Sequence, residues 1–258
     1  MSLTKQNITS EQASKLNLSL QVSHSALQYC IMSDSKIEQA DIRKFNRDKS
    51  TEENLSVLFG ALPALNLPYK DVAIILATEK VCLVPDELAD GDALAYMHAN
   101  GIQIEKDEQL LHSSSNGITA IMAAPTFLVQ KAQTLYGDHT HWLHIATAKA
   151  HQSATLEVNF CDDWANITIK DDRLRYAETL PCAEITDLLF YIQQLNQQYN
   201  LRDFDLLLTG ENTAEIRKEL KSYYKPQLDS DLKKRIPKSL RNDEINFNNL
   251  IYCFDANR

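Results

Sequence analysis

Glycine is scarce in this chain. Six glycines among 258 residues compare with the roughly 18 that an ordinary usage of ~7% would give. They stand apart, at Gly60, Gly91, Gly101, Gly117, Gly137 and Gly210. A loop that cradles phosphate needs clustered glycines, because backbone N–H groups must reach the anion with no side chain between. The sequence has no G-x-G-x-x-G and no G-x-x-x-x-G-K-S/T, which excludes dinucleotide and P-loop phosphate sites of the usual kinds. The nucleophile-elbow, zinc-protease and kinase signatures are missing as well.

Other absences narrow the class further. The five cysteines, Cys30, Cys82, Cys161, Cys182 and Cys253, are odd in number, far apart and without a C-x-x-C pair. A disulfide framework is denser and even-numbered, so reduced, buried thiols are expected. The stretch from Met1 to Ser10 is polar, with no apolar core for a secretory signal. Apolar runs such as Val72 to Ala77 fall far short of the roughly 20 residues a membrane span needs. No membrane span and a cytoplasmic location are therefore expected. A formal net charge of −9 argues against non-specific nucleic-acid binding, which needs a cationic face to release counterions.

What is present is periodic. Leu16, Leu18, Leu20 and Val22 alternate with polar residues, the pattern of a half-buried strand. Ala26 to Met32 and Ile37 to Phe45 predict two more strands, joined by tight turns. Ser50 and Glu53 form a capping-box pattern before a helix carrying Leu55, Leu58, Phe59, Leu62 and Leu65, with Pro63 ending or bending it. The apolar run Val72 to Leu76 predicts a buried strand.

The later chain repeats this plan. Leu156, Val158 and Phe160 alternate; Ile167 and Ile169 mark a second strand; a third runs near Leu174 to Thr179. A helix follows with Ile185, Leu188, Leu189, Ile192 and Leu195, and Asp205 leads into Leu206-Leu207-Leu208. Leu18, Leu20, Val22, Tyr29 and Ile31 map onto Leu156, Val158, Phe160, Ile167 and Ile169 at one constant offset. The helix stripes have identical internal spacing, and Asn66-Leu67 with Asp71 match Asn200-Leu201 with Asp205. So long a period predicts a domain duplication, with halves at 1–150 and 151–258. Each half reads strand, strand, strand, helix, strand: an antiparallel meander, then a right-handed crossover to a strand parallel to the first. The expected class is α/β with mixed sheets, two tandem ribonuclease H-like halves. Between them, Lys80 to Pro85 and Ile118 to Ala123 predict strands, Asp92 to Asn100 and Thr126 to Tyr136 helices, and Trp142 to Ala150 fits either.

On Leu16 to Met32, Cys82-Leu83-Val84-Pro85 and Leu206-Leu207-Leu208-Thr209-Gly210, the chain resembles an uncharacterised bacterial family, a domain of unknown function with an actin-like ATPase fold. That resemblance implies two such halves around a cleft, and ATP as the cofactor of functional members. Actin-like ATPases carry an Asp and glycines on the first hairpin of each half, where phosphates and metal are held. Here the first hairpin is Leu20-Gln21-Val22-Ser23-His24-Ser25, with neither, and the second, Val158 to Trp164, has acids but no glycine. ATP is therefore disfavoured. The resemblance carries over to Thr209, Gly210, Glu211 and Asn212 as the adenosine-side turn; read as residues alone, the same stretch is a strand-to-helix turn with Asn212 or Thr213 as N-cap.

Other clusters weigh less. His139, His141, His144 and His151 do not converge in one secondary structure and lack a nearby cysteine, so surface or boundary histidines are expected and no metal site. Glu157, Glu184, Asp187 and Asp205 are the acids a two-metal nuclease would need, but Asp205 starts its strand where the far end is required. Asp86, Glu87, Asp90 and Asp92 lack the Glu that completes a calcium loop. Lys233, Lys234, Arg235, Lys238 and Arg241 form a basic stretch between Pro226 and residues beyond Pro237, expected as solvated loop. Phe247, Leu250, Ile251, Tyr252 and Phe254 are too apolar for a free tail and are expected to pack on the body or on a partner. The expectation is a catalytically degenerate actin-like protein that binds a protein partner. ATP binding in the inter-domain cleft is the alternative, and a metal-dependent nuclease a more distant one.

Overall fold

A computed structural model describes residues 8–33, 36–115, 117–147, 154–161, 163–221, 245–246 and 250, with the backbone alone at Cys161, Ile245 and Asn246. The chain opens with a single helical turn, α1 (Ser10–Ala13), then three strands: β1 (Asn17–Ser23), β2 (Ala26–Ser33) and β3 (Lys36–Lys44). Helix α2 (Thr51–Ala61) follows and leads through a 3-10 turn at Pro63–Asn66 into β4 (Asp71–Ala77). Ser50 caps α2: its hydroxyl accepts from the Glu53 N–H at 3.2 Å, and the Glu53 carboxylate accepts from the Ser50 N–H at 2.8 Å. Pro63 cannot donate to a preceding carbonyl, and α2 stops before it.

An inserted layer comes next: β5 (Val81–Pro85), α3 (Ala93–Ala99), β6 (Glu108–Ser115), β7 (Ile118–Pro125) and α4 (Thr126–Tyr136). Its strands pair in the order β5-β7-β6, a small antiparallel sheet with its own apolar cluster of Val84, Met97, Ile121 and Ala123. Within this layer, β6 is the element that periodicity did not predict. Strand β8 (Thr140–His144) then returns to the first sheet, giving the order β3-β2-β1-β4-β8.

The second sheet is built from β9 (Thr155–Cys161), β10 (Trp164–Lys170) and β11 (Leu174–Pro181), then helix α5 (Ile185–Tyr199), β12 (Asp205–Glu211) and α6 (Thr213–Leu220). The two-residue β13 (Ile245–Asn246) completes the order β11-β10-β9-β12-β13. Both sheets have the expected meander followed by a parallel strand, and their strands pair in matching registers. Leu18 faces Ile31 and Leu20 faces Tyr29 across β1 and β2; Leu156 faces Ile169 and Val158 faces Ile167 across β9 and β10. Asn17 lies beside Asp71, and Thr155 beside Asp205, in the parallel pairs.

Each sheet buries its apolar face under its own helices. Leu18, Leu20, Val22, Ile74 and Leu76 pack with Leu55 and Phe59 of α2 and Leu128 and Ala132 of α4. Leu156, Val158, Phe160, Ile167 and Leu208 pack with Leu188, Ile192 and Leu195 of α5 and Ile216 and Leu220 of α6. Burial of this apolar area is the main drive for both cores. Cys30 and Cys182 are buried free thiols and Cys82 is half-buried. Among the described residues no helix is long and apolar enough to cross a membrane.

Candidate functional site

Strand alternation puts polar residues on the opposite face of each sheet, yet these are buried too. Ser19, Gln21 and Gln28 on the first sheet, and Glu157, Asn159, Asn166, Thr168, Lys170, Thr209 and Glu211 on the second, are all removed from solvent. The two polar faces meet, and polar groups buried together must satisfy one another. The Gln21 amide donates to Asn159 Oδ1 at 3.3 Å, and Asn159 Nδ2 donates to the Thr209 hydroxyl at 2.8 Å. Lys44 reaches the Glu211 carboxylate at 3.5 Å. The Ser19 hydroxyl donates to the Leu250 carbonyl at 2.8 Å.

The mouth of this seam lies at the two hairpin tips. His24, at the β1–β2 tip, stacks on Trp164 at the start of β10, with ring centroids 4.9 Å apart and planes 27° from parallel. The His24 Nε2 bonds the Glu79 carboxylate, which follows β4. That hydrogen bond outweighs the cost of burial and, with Glu79 and Asp163 nearby and Lys80 opposing, raises the imidazole above its ordinary 6.5. For Glu79, burial pushes the carboxyl up, but the His24 hydrogen bond and charge prevail and hold it below 4.5. The tips therefore carry an imidazole paired to one carboxylate with a second beside it, a poor setting for phosphate.

A second joint lies at the Thr78 carbonyl. The Ala146 N–H donates to His144 Nδ1 at 3.2 Å, so His144 carries its proton on Nε2, which donates to the Thr78 carbonyl at 3.0 Å. Complete burial lowers His144 to about 4; the Thr78 bond opposes this and Lys170 adds to it. Thr179 of β11 lies 3.2 Å from the same carbonyl and 2.6 Å from the Asn166 amide. Its hydroxyl has one proton, and turning the Asn166 amide so that its NH2 faces Thr179 satisfies all three groups.

The predicted turn residues sit at the end of β12. Thr209 is buried against Asn159 and Glu211 against Lys44, while Asn212 is exposed. Gly210 has φ +86°, and a Cβ there would lie 2.0 Å from the Phe160 carbonyl oxygen. Glycine at this point is thus demanded by the approach of β12 to β9. Asn212 holds the N-cap position of α6 in left-handed conformation but makes no side-chain cap bond.

The histidines separate. His139 and His141 are exposed as expected, whereas His144 is buried between the sheets, and His151 lies outside the described residues. The Asp187 carboxylate accepts from the Glu184 N–H at 3.0 Å at the start of α5, the capping role that Glu53 plays for α2. Among the described residues no three His, Cys, Asp or Glu side chains gather as a metal would require. The basic stretch from Lys233 to Arg241 lies outside the described residues, as do Phe247, Ile251, Tyr252 and Phe254; Leu250 is buried. His24, Glu79 and Trp164 were not singled out from sequence, since no periodic or motif signal joins residues so far apart.

Comparison with known proteins bears on the same architecture. A Bacteroides thetaiotaomicron protein of actin-like ATPase fold and unknown function superposes with a TM-score of 0.72 at 17% identity, over 97% of this chain and all of that one. A structure of the PilM–PilN type IV pilus biogenesis complex superposes with a TM-score of 0.58 at 12% identity, over 94% of this chain and 98% of that one. No curated protein matches the sequence. The fold is that of the actin-like ATPases. A family model described as protein of unknown function (DUF3822) matches residues 5–226, and the chain belongs to that family.

Proposed function

We propose that this protein is a catalytically degenerate actin-like protein that acts in the cytoplasm by binding a protein partner. The observation that carries the reading is the closed mouth of the seam. Where actin-like ATPases hold phosphates between two hairpins, His24 and Trp164 stack across the gap and Glu79 pairs with the imidazole. Behind them Gln21, Asn159 and Thr209 use their polar groups on one another. The PilM–PilN structure supports the partner half of the reading, being a complex of two proteins on a similar fold. The reading divides the chain at about residue 150, into 1–150 and 151–258; in support, β8 ends at His144 and β9 begins at Thr155.

A thermal-shift titration with ATP and magnesium tests it, because a ligand bound only by the folded state raises the melting temperature with its concentration. No shift is expected. A saturable rise, with ATP hydrolysis above background that is lost on changing a hairpin residue, would overturn the reading. It would then favour ATP held through Thr209, Gly210, Glu211 and Asn212. The observation on that side is the exposed Asn212 beside a glycine turn at the end of β12. Gly210→Trp cannot serve as the probe, since the Phe160 carbonyl leaves no room for any side chain; Asn212→Trp can.

A further inference from the structure

The contact that closes the mouth of the seam runs through one titratable ring. His24 Nε2 bonds the Glu79 carboxylate beyond the end of β4, and the same imidazole lies on Trp164 of the second sheet, with centroids 4.9 Å apart. Both contacts favour the same charge state. A cation within about 6 Å of an indole centroid is drawn to the ring face, and a carboxylate holds an imidazolium more firmly than an imidazole. A neutral His24 loses both attractions at once. We propose that the mouth is a clasp worked by the charge on His24: cationic, the ring holds the two hairpin tips together; neutral, it releases Trp164 and opens the polar seam of Gln21, Asn159 and Thr209 to water.

The charges around the ring suit this role. Asp163, next to Trp164, adds a second negative charge to Glu79. Lys80 opposes them, but its ammonium is drawn to Glu108 at 2.8 Å and Glu105 at 4.0 Å. The balance raises His24 above 6.5, so the cation persists below that pH and is lost as pH rises through the folded value. His144, the histidine at the other joint, is lowered to about 4 and stays neutral over this range. The shared plan of the two sheets does not ask for the stack: in their matching registers Trp164 stands where the first hairpin has Ala26. The inference rests on the closed mouth of the proposed function and names how that mouth is regulated.

Tryptophan quenching on the full chain tests it. The chain has two tryptophans, so Trp142→Phe leaves Trp164 as the sole emitter. Its acrylamide quenching constant is expected to rise about twofold or more from roughly pH 6 to roughly pH 8.5, as the cation–π and ion-pair attractions are lost. Glu79→Gln is expected to move the midpoint of that rise to lower pH. His24→Phe keeps a ring against Trp164 without a charge and is expected to abolish the pH dependence. Should Trp142→Phe fail to fold, the unaltered chain reads the same event through amide exchange. There, protection of the Ala26 N–H, which donates to the Ser23 hydroxyl at the same tip, is expected to fall over that interval after correction for the intrinsic rate. A response that is flat with pH, or equal in His24→Phe, would overturn the proposal. No nucleotide or partner enters the measurement, so a flat response leaves the partner reading standing. A saturable thermal shift with ATP would overturn that reading without touching the pH response.

Discussion

The two sheets share a four-strand core and differ in what closes its open side. In the first, β8 runs parallel to β4 from Val72 to Leu76, and an inserted three-stranded sheet leads into it. In the second, among the described residues, the short antiparallel β13 lies on the side of β12 away from β9, at Gly210 and Glu211. The pairing registers inside the two cores are otherwise the same, position for position. A core fixed by alternation on both faces resists slippage, because a one-residue shift would turn every apolar side chain outward. The fifth strand lies at the margin and is free to differ. The two sheets thus agree where register protects them and differ at the edge.

Exchanging residues at matching positions breaks the comparison most sharply. Leu76 lies beside Val22 as Gly210 lies beside Phe160. Putting the first sheet's residue into the second, Gly210→Leu, forces a side chain against the Phe160 backbone at positive φ. Backbone strain and overpacking together should cost about 3–6 kcal/mol, read as a lowered urea midpoint or failure to fold. The reverse change, Leu76→Gly, should cost about 3–5 kcal/mol through lost burial, since Leu76 lies in the core.

His144 gives the next effect, and no histidine stands between β12 and β13 to mirror it. Its folded value of about 4 lies below the ordinary 6.5, so the unfolded chain takes up protons first as pH falls. The stability it contributes is complete above pH 6.5 and is lost between there and pH 4, about 3 kcal/mol in all. His144→Gln should flatten that part of a stability–pH profile.

The pair at the hairpin tips works in the opposite direction. His24 is raised, so its contribution is full below pH 6.5 and fades as pH rises through the folded value. Glu79 is lowered, so its contribution is present above pH 4.5 and fades as pH falls through its folded value. The two together favour mildly acidic conditions. Both side chains are about a third exposed, so water screens the pair, and a His24–Glu79 double-mutant cycle should give a coupling of about 1 kcal/mol or less. Trp164→Ala should cost about 1 kcal/mol beyond its lost area. The smallest effect belongs to the helix caps. Ser50→Ala should lower stability by about 1 kcal/mol, and a smaller loss is expected for Asp187→Ala, which removes only the acceptor of the Glu184 N–H.

Much of this architecture was legible in the sequence because strands with one apolar face announce their period. The β1 and β9 registers, the Ser50–Glu53 box and the limits of α4 can all be read from residue order. The helix stripes were read one turn out of step. Matching Leu55 to Ile185 by stripe spacing gives an offset of 130, whereas the caps Ser50 and Glu184, and the strands that follow, repeat at 134. An apolar stripe looks alike after a helical turn, and only the cap breaks that ambiguity. β6 escaped notice because His112 to Ser115 carry little strand signal, and its pairing with β7 supplies the missing order. The site was least legible. His24, Glu79 and Trp164 meet only when two sheets dock, and the burial of Ser19, Gln21 and Asn159 depends on a face that alternation assigns to water.

The Thr78 carbonyl has a mechanical consequence. One acceptor serves His144 from the first sheet and Thr179 from the second. Swinging the sheets apart would pull Thr179 from that oxygen and expose the Thr179–Asn166 bond behind it, while His144 kept its hold. Each bond broken without water at hand costs about 1–3 kcal/mol. The cost of parting the sheets at this oxygen therefore lasts only until water reaches it, and dryness as much as the bond itself holds this joint.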